Sequence, residues 1–258
     1  MVLERLRQDG RVAIVTGGAK GVGLGIASVL AEAGASVVIM SRTQADIDNA
    51  IVRLDAFGGQ SLGVVGDVTK FEDNERLVQQ ALETFGRVDI LVNNAGGALP
   101  VPFEQISTQQ FHDDFHFNVV QAFQLTQLVV PHMRETGDGS IINISSLAAR
   151  YGADDMLTYS VTKAGLEQMT RVCAQEFAPE IRVNCIALGM TMTDALEGYI
   201  STVEGALANV LPQIPLNRIG NVEDVGLAAL YLCSAGCYVT GKVIDIDGGI
   251  LRSVRLGG

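Results

Sequence analysis

Residues 11–23 read Arg11-Val-Ala-Ile-Val-Thr16-Gly17-Gly-Ala-Lys20-Gly21-Val22-Gly23, and an apolar helical pattern runs on from there to about residue 33. The β-branched opening predicts a strand buried on both faces. Glycines at 17, 21 and 23 leave the main chain bare where that strand turns into a helix, and Gly34 ends the helix. Such a helix N-terminus offers unpaired N–H groups and the positive end of a dipole, which is what a pyrophosphate needs. The spacing is Gly-x-x-x-Gly-x-Gly and departs from the Gly-x-Gly-x-x-Gly dinucleotide fingerprint. A plain glycine-rich turn has the same look, but the strand–turn–helix context favours a nucleotide. Gly17, Lys20, Gly21, Val22 and Gly23 are its candidate contacts.

Outward from this turn the same alternation repeats. A strand over 35–40 ends on Ser41-Arg42, where dinucleotide folds commonly carry an acidic side chain for the ribose 2′-hydroxyl. Serine followed by arginine, with Lys20 nearby, would instead suit a 2′-phosphate through charge-assisted hydrogen bonds; the alternative is an arginine that is only solvated. A helix to about 57, a strand over 61–65 ending on Gly66-Asp67-Val68, and an amphipathic helix over 72–85 come next. A strand over 88–92 ends on Asn93-Asn94-Ala95-Gly96-Gly97, and one long helix is predicted over 108–133 with Asn118 inside it. Strands over 140–145, 181–186 and 242–246, a helix carrying Tyr159 and Lys163, a helix over 221–233, and a looser segment over 188–215 complete the chain. Strands separated by helices are βαβ units, so the expectation is one α/β domain over 1–258 with a doubly wound (Rossmann) parallel sheet and helices on both faces.

Composition agrees with a sheet covered on both faces: 48% of residues are hydrophobic and only 18% charged. A net charge of −11 argues against nucleic acid and anionic membranes as partners. The first residues carry charges and no apolar core, and no apolar run approaches the ~20 residues of a membrane span, so a soluble cytoplasmic protein is expected. The four cysteines form no Cys-x-x-Cys and read as small core residues. His112 and His116 share a helix face but lack a third ligand at a recognisable distance, so no metal is expected and a solvated or interface helix is preferred.

The chemistry concentrates in residues 146–163, Ser146-Leu-Ala-Ala-Arg-Tyr151-Gly-Ala-Asp-Asp-Met156-Leu-Thr-Tyr159-Ser-Val-Thr-Lys163. Ser146 follows the strand Ser140-Ile-Ile-Asn-Ile-Ser145, and Tyr159 and Lys163 stand one turn apart on a helix. A free phenol titrates near pH ~10, and a neighbouring cation favours the phenolate, so Tyr159 could exchange a proton nearer neutrality. Ser146 could hold a carbonyl or hydroxyl oxygen beside it. Taken alone, Tyr-x-x-x-Lys is also a common surface pair.

Together these motifs resemble the short-chain dehydrogenase/reductase family over nearly the whole chain. The family's Thr-Gly-x-x-x-Gly-x-Gly falls on residues 16–23, its Asn-Asn-Ala-Gly on 93–96, and its asparagine, serine, tyrosine and lysine on Asn118, Ser146, Tyr159 and Lys163, with the family's thirteen-residue step from serine to tyrosine. The resemblance implies a seven-stranded sheet, usually a homotetramer, and an enzyme exchanging hydride between a nicotinamide cofactor and a secondary alcohol or ketone. Tyr159 would be the acid/base, Lys163 would hold the nicotinamide ribose and lower the phenol's pKa, Ser146 would position the substrate oxygen, and Asn118 would keep a water in the relay. Asn94, Ala95, Gly96, Asp67 and Val68 would line the cofactor, and Ser41, Arg42 and Lys20 resemble the members that prefer NADP(H), with NAD(H) possible. Leu188-Gly189 replaces the family's usual Pro-Gly, which is expected to loosen the turn holding Gly189, Thr191 and Thr193 to the cofactor.

Residues 88–103 and 182–196 look like bacterial 7α-hydroxysteroid dehydrogenases, with a general likeness to 3-oxoacyl-carrier-protein reductases. The latter dock an acidic carrier, which a chain of net charge −11 suits poorly. A non-catalytic dinucleotide sensor is the alternative of another class, but it would not need all four of Asn118, Ser146, Tyr159 and Lys163. Segments that follow strands should wall the substrate pocket, through Ser146, Tyr151, Met156, Tyr159 and Met190 among others. Leu196, Tyr199, Ile200, Ala206, Leu207, Val210 and Leu211 form a roughly helical apolar pattern read as a mobile lid over about 190–215, which closes on an apolar cyclic or steroid-like substrate. Packing on the core or on a neighbouring subunit is the other reading of the same residues.

Overall fold

The computed structural model describes residues 2–202 and 205–251. Among these the chain runs β1 (Val12–Thr16), α1 (Gly21–Glu32), β2 (Ser36–Ser41), α2 (Gln44–Asp55), β3 (Ser61–Val65), α3 (Phe71–Phe85) and β4 (Ile90–Asn93). It continues through α4 (Thr108–Phe115), α5 (Gln121–Thr136), β5 (Gly139–Ser146), α6 (Leu157–Glu176), β6 (Ile181–Leu188), α7 (Asp194–Thr202), α8 (Ala206–Val210), α9 (Val222–Cys233) and β7 (Val243–Ile246). All strand pairs are parallel, in the order β3-β2-β1-β4-β5-β6-β7. The winding reverses between β1 and β4. A crevice therefore opens beyond their carboxyl ends, the place where doubly wound sheets take ligands.

Both faces of the sheet are buried, and β1 shows how. Ala13 and Val15 join one apolar cluster with Ile26 and Leu30 of α1 and Val225 of α9. Val12 and Ile14 join a second with Leu77 of α3 and Leu125 and Met133 of α5. Alternate residues of a strand point to opposite faces, so two helical layers need an apolar residue at every position of a central strand. Cys185, Cys233 and Cys237 are buried, Cys173 is half-buried, and all four thiols are free. Among the described residues no helix is long and apolar enough to cross a membrane.

Two features differ from the sequence-based expectation. The single helix predicted over 108–133 is interrupted: between α4 and α5, His116–Val120 make a turn of π-helix, with the Gln121 N–H reaching the His116 carbonyl. The looser segment over 188–215 holds α7 and α8, and its second half is docked. Ala206, Val210 and Ile214 are buried, the last two in a small cluster with Leu147, Ala187 and Ile250. Leu207 is exposed, while Leu196, Ile200 and Leu211 are half-buried. Residues 203–204 of the expected lid, the side chain of Tyr199, and residues 1 and 252–258 of the expected domain lie outside what is described.

Candidate active site

A cavity of about 590 Å³ lies at the carboxyl ends of the central strands. Its size is that of a small-molecule site. From the turn after β1 it is lined by Gly17, Lys20, Val22 and Gly23, and from the end of β2 by Ser41 and Arg42. Asp67 and Val68 line it after β3, Asn94, Ala95 and Gly96 after β4, and Tyr159 and Lys163 from α6.

The glycine turn is shaped by close approach as much as by torsion. Gly17 and Gly21 have φ of +62° and +52°, in the left-handed region that side chains avoid. A Cβ on Gly23 would run into the Gly17 carbonyl oxygen and the Asn94 amide. The two ends of the turn therefore touch, and the start of α1 stands at the wall of the cavity. Lys20 is not a free cation, since its Nζ sits 2.8 Å from Asp46 Oδ1. Burial works to raise the Asp67 carboxyl, but hydrogen bonds from Thr69 and the charges of Arg42 and Lys70 hold it below its ordinary value.

Thr16 ties this turn to the one after β4. Its buried hydroxyl accepts hydrogen bonds from the Asn94 and Ala95 N–H groups, each at 3.0 Å, and the Asn94 amide returns a bond of 2.8 Å to the Thr16 carbonyl. Gln121 Nε2 holds the Ala95 carbonyl at 3.0 Å. Neither Thr16 nor Gln121 was among the candidate residues. Thr16 stood in the motif itself, whereas nothing in the spacing of Gln121 marks it.

Asn118 sits in the π turn and is fully buried. The Asn118 amide donates to the Asp114 carbonyl, one turn back, at 2.8 Å and to the Gly97 carbonyl at 2.9 Å. Its oxygen accepts from the Gly97 N–H at 2.9 Å. Gly96 passes between two of the candidate catalytic groups: a Cβ there would lie 2.7 Å from Asn118 Oδ1 and 2.9 Å from Lys163 Nζ.

Lys163 is 3% exposed, and its Nζ donates to the Ile144 carbonyl at 2.8 Å while standing 5.6 Å from the centre of the Tyr159 ring. Burial pulls its pKa down to about 8. Burial also pushes the Tyr159 phenol above its ordinary value, and a hydrogen bond from Ser146 acts against that. This corrects the expectation that the lysine sets the phenol below its usual range. The ammonium is turned to a main-chain carbonyl, and loss of water outweighs it. Ser146, the last residue of β5, also accepts the Ala148 N–H at 3.2 Å.

The remaining candidates are more scattered. Gly21 faces a neighbouring hollow with Thr193, whose hydroxyl caps the start of α7 by accepting the Leu196 N–H at 3.3 Å. Thr191 forms a short bridge with Gly220. Gly189 is pressed against Asp247, and its N–H reaches the Ile246 carbonyl at 3.0 Å. Those bonds hold the turn after β6, where Leu188 stands in place of a proline. Tyr151 and Met190 pack on the cluster around Leu147 and Val210, and Met190 also faces a separate hollow with Pro215 and Asp247. Met156 is half-buried just before α6. His112 is exposed and His116 half-buried.

A family model described as Enoyl-(Acyl carrier protein) reductase matches residues 17–251. An uncharacterized oxidoreductase of Mycobacterium tuberculosis is 40% identical over 252 residues, 97% of this chain and 95% of its own length. The 7alpha-hydroxysteroid dehydrogenase of Escherichia coli is 39% identical over 256 residues, 98% of each chain. The 3-oxoacyl-(acyl-carrier-protein) reductase of Thermotoga maritima is 34% identical over 248 residues, 95% of this chain and 100% of its own. A solved 7alpha-hydroxysteroid dehydrogenase, complexed with NADH and 7-oxo glycochenodeoxycholic acid, matches with a TM-score of 0.92 at 36% identity and covers 98% of this chain and 99% of that one.

Proposed function

The chain belongs to the short-chain dehydrogenase/reductase family and is an oxidoreductase of alcohol and ketone groups, and within that chemistry we propose that it exchanges a hydride between NADP(H) and an apolar cyclic or steroid-like secondary alcohol or ketone. The observation that carries this reading is one cavity in which a bare glycine turn, Arg42, Tyr159 and Lys163 meet. The residues fit a dinucleotide. Glycines leave the helix N-terminus open where a pyrophosphate would lie, Asp67 and Val68 stand where an adenine would be flanked, and Asn94, Ala95 and Gly96 form the floor. Thr191 and Thr193 would close on it from the turn after β6.

When bound, the nicotinamide supplies or accepts the hydride. The chain's own residues manage the oxygen. Ser146 gives the substrate oxygen a hydrogen bond and orients it toward Tyr159, whose phenol donates a proton during reduction and takes one back during oxidation. Lys163 offers its ammonium to the ribose and to the phenol's surroundings, and Asn118 keeps the Gly96–Gly97 main chain fixed beside them.

One solved relative is complexed with NADH, so the cofactor preference rests on Ser41 and Arg42 of this chain. No carboxylate stands at position 41, and Arg42 lines the cavity. Lys20 would have to share itself with Asp46, so Arg42 is the stronger determinant. Replacing Arg42 by Ala is expected to raise the KM for NADPH by about tenfold or more and that for NADH by less than about twofold. Ser41→Asp should shift preference toward NADH by repelling the 2′-phosphate. Steady-state kinetics with both cofactors decides this, and a wild-type enzyme that prefers NADH would refute it.

The substrate reading rests on the segments after β4, β5 and β6. They present Ala98, Leu99, Leu147, Leu188 and Met192, and their one arginine, Arg150, is already committed to Asp245. We read α7, with the half-buried Leu196 and Ile200, as a lid for that site. An acyl thioester remains the second reading, on the strength of the reductase relative. Phe123 of α5 and Leu157, Val161 and Val172 of α6 are exposed, an apolar face that supports association of copies into a homotetramer. A cytoplasmic location belongs to the same proposal.

A further inference from the structure

Next to Ser146, four polar side chains from three parts of the sequence form a chain that starts at Ser145 on the cavity wall. Ser145 Oγ lies 3.2 Å from Glu167 Oε1 and 3.4 Å from the Lys163 carbonyl oxygen, so its single hydroxyl proton faces both acceptors. Glu167, one turn beyond Lys163 on α6, is 4% exposed. Its other oxygen meets two guanidinium groups, Arg171 at 3.4 Å and Arg150 at 3.9 Å. Arg150 then makes a two-pronged bridge to Asp245 of β7, at 2.5 and 2.6 Å. A planar, bidentate pair of this kind fixes orientation as well as distance.

The sheet register explains why these groups meet. Ser145 of β5 pairs with Ala187 of β6, and Ala187 pairs with Asp245 of β7. Residues in one row across a sheet point to the same face, and the small Ala187 leaves room between the two polar ones. Arg150 comes from the loop that leaves Ser146 and folds back over that row. Its contacts join three segments: the end of β5 with Ser146, α6 with Tyr159 and Lys163, and the edge strand β7.

We propose that Arg150 is a positioning residue, which sets the Ser146 loop against α6 by bridging Asp245 and the buried Glu167. This rests on Ser146 and Tyr159 acting on the substrate oxygen. Arg150 does not line the cavity; it acts through the loop geometry, and its loss should weaken transition-state alignment more than binding.

The test uses the full-length enzyme with NADPH and its best ketone. Arg150→Gln is expected to lower kcat by about tenfold, with the dissociation constant for NADPH and the KM for ketone within about twofold and little change in melting temperature. Arg150→Lys, which keeps the charge but not the fork, should recover part of the loss. Asp245→Asn should reproduce the Arg150→Gln effect, and the double variant should be no worse than either single one, because both remove the same bridge. A kcat within twofold of wild type in Arg150→Gln, alongside an inactive Tyr159→Phe, would overturn this inference and leave the functional reading standing. Additive losses in the double variant, or a fall in NADPH affinity and melting temperature together, would also overturn it by making the bridge a general prop. Near-wild-type turnover in Tyr159→Phe would bring down the functional reading and this inference with it.

Discussion

Tyr159→Phe is expected to reduce kcat by about 10²–10⁴-fold while leaving NADPH affinity within about threefold of wild type. The Tyr159 side chain is half-buried beside Ser146, and the hydroxyl is the part of the ring that can move a proton. Removing one oxygen leaves the ring in place beside Lys163, so the cavity proposed for the dinucleotide keeps its shape. Burial raises the phenol's pKa, so the side chain is protonated at neutral pH and ready to serve as the acid in ketone reduction. The reverse reaction needs the base form and should therefore gain rate toward alkaline pH. Single-turnover kinetics and a fluorescence titration with NADPH separate the two effects. Turnover within tenfold of wild type would remove Tyr159 from its assigned role.

The second large effect separates activity from stability at one residue. Lys163→Met is expected to abolish most activity and to raise the melting temperature at pH 7. Burial lowers the lysine's pKa from 10.5 to about 8, so the unfolded chain binds this proton more tightly than the folded one. The stability contribution of the side chain is therefore fully present only above the unfolded pKa of 10.5, and it is lost as pH falls through about 8. At pH 7 the buried ammonium costs on the order of 3 kcal/mol, against about 1 kcal/mol from its bond to the Ile144 carbonyl. The net gain on replacement corresponds to a rise of about 2–6 °C at this chain length. The gap should close between pH 8 and 10.5 as the wild type recovers its stability. Thermal melts across that range check the sign, and a variant that melts below wild type at pH 7 would contradict it.

Much of this was legible in the sequence because the physics is local. The β-branched runs became the strands, the glycines at 17, 21 and 23 became the open helix N-terminus, and the four-residue step from Tyr159 to Lys163 put both side chains into one cavity. The π turn at Asn118 was not legible, since one extra residue in a helix leaves the apolar pattern nearly intact. The phenol's proton affinity was misjudged for a different reason. Spacing shows that a cation is near, whereas depth of burial and the carbonyl that engages the ammonium are properties of the packed fold. Arg150 and Asp245 are ninety-five residues apart and meet only through the strand register. The docking of Val210 and Ile214 on Leu147 likewise depends on where Ile250 and Ala187 lie, which periodicity cannot reveal.

The most direct test is the initial rate of NADPH oxidation by the wild-type protein over a panel of uncharged cyclic and steroid-like ketones, acyl thioesters, sugars and small oxo-acids. The expected result is a kcat/KM about tenfold or more in favour of the bulky uncharged ketones, with NADPH preferred to NADH. A clear preference for a sugar or a small anionic oxo-acid would contradict the proposed function.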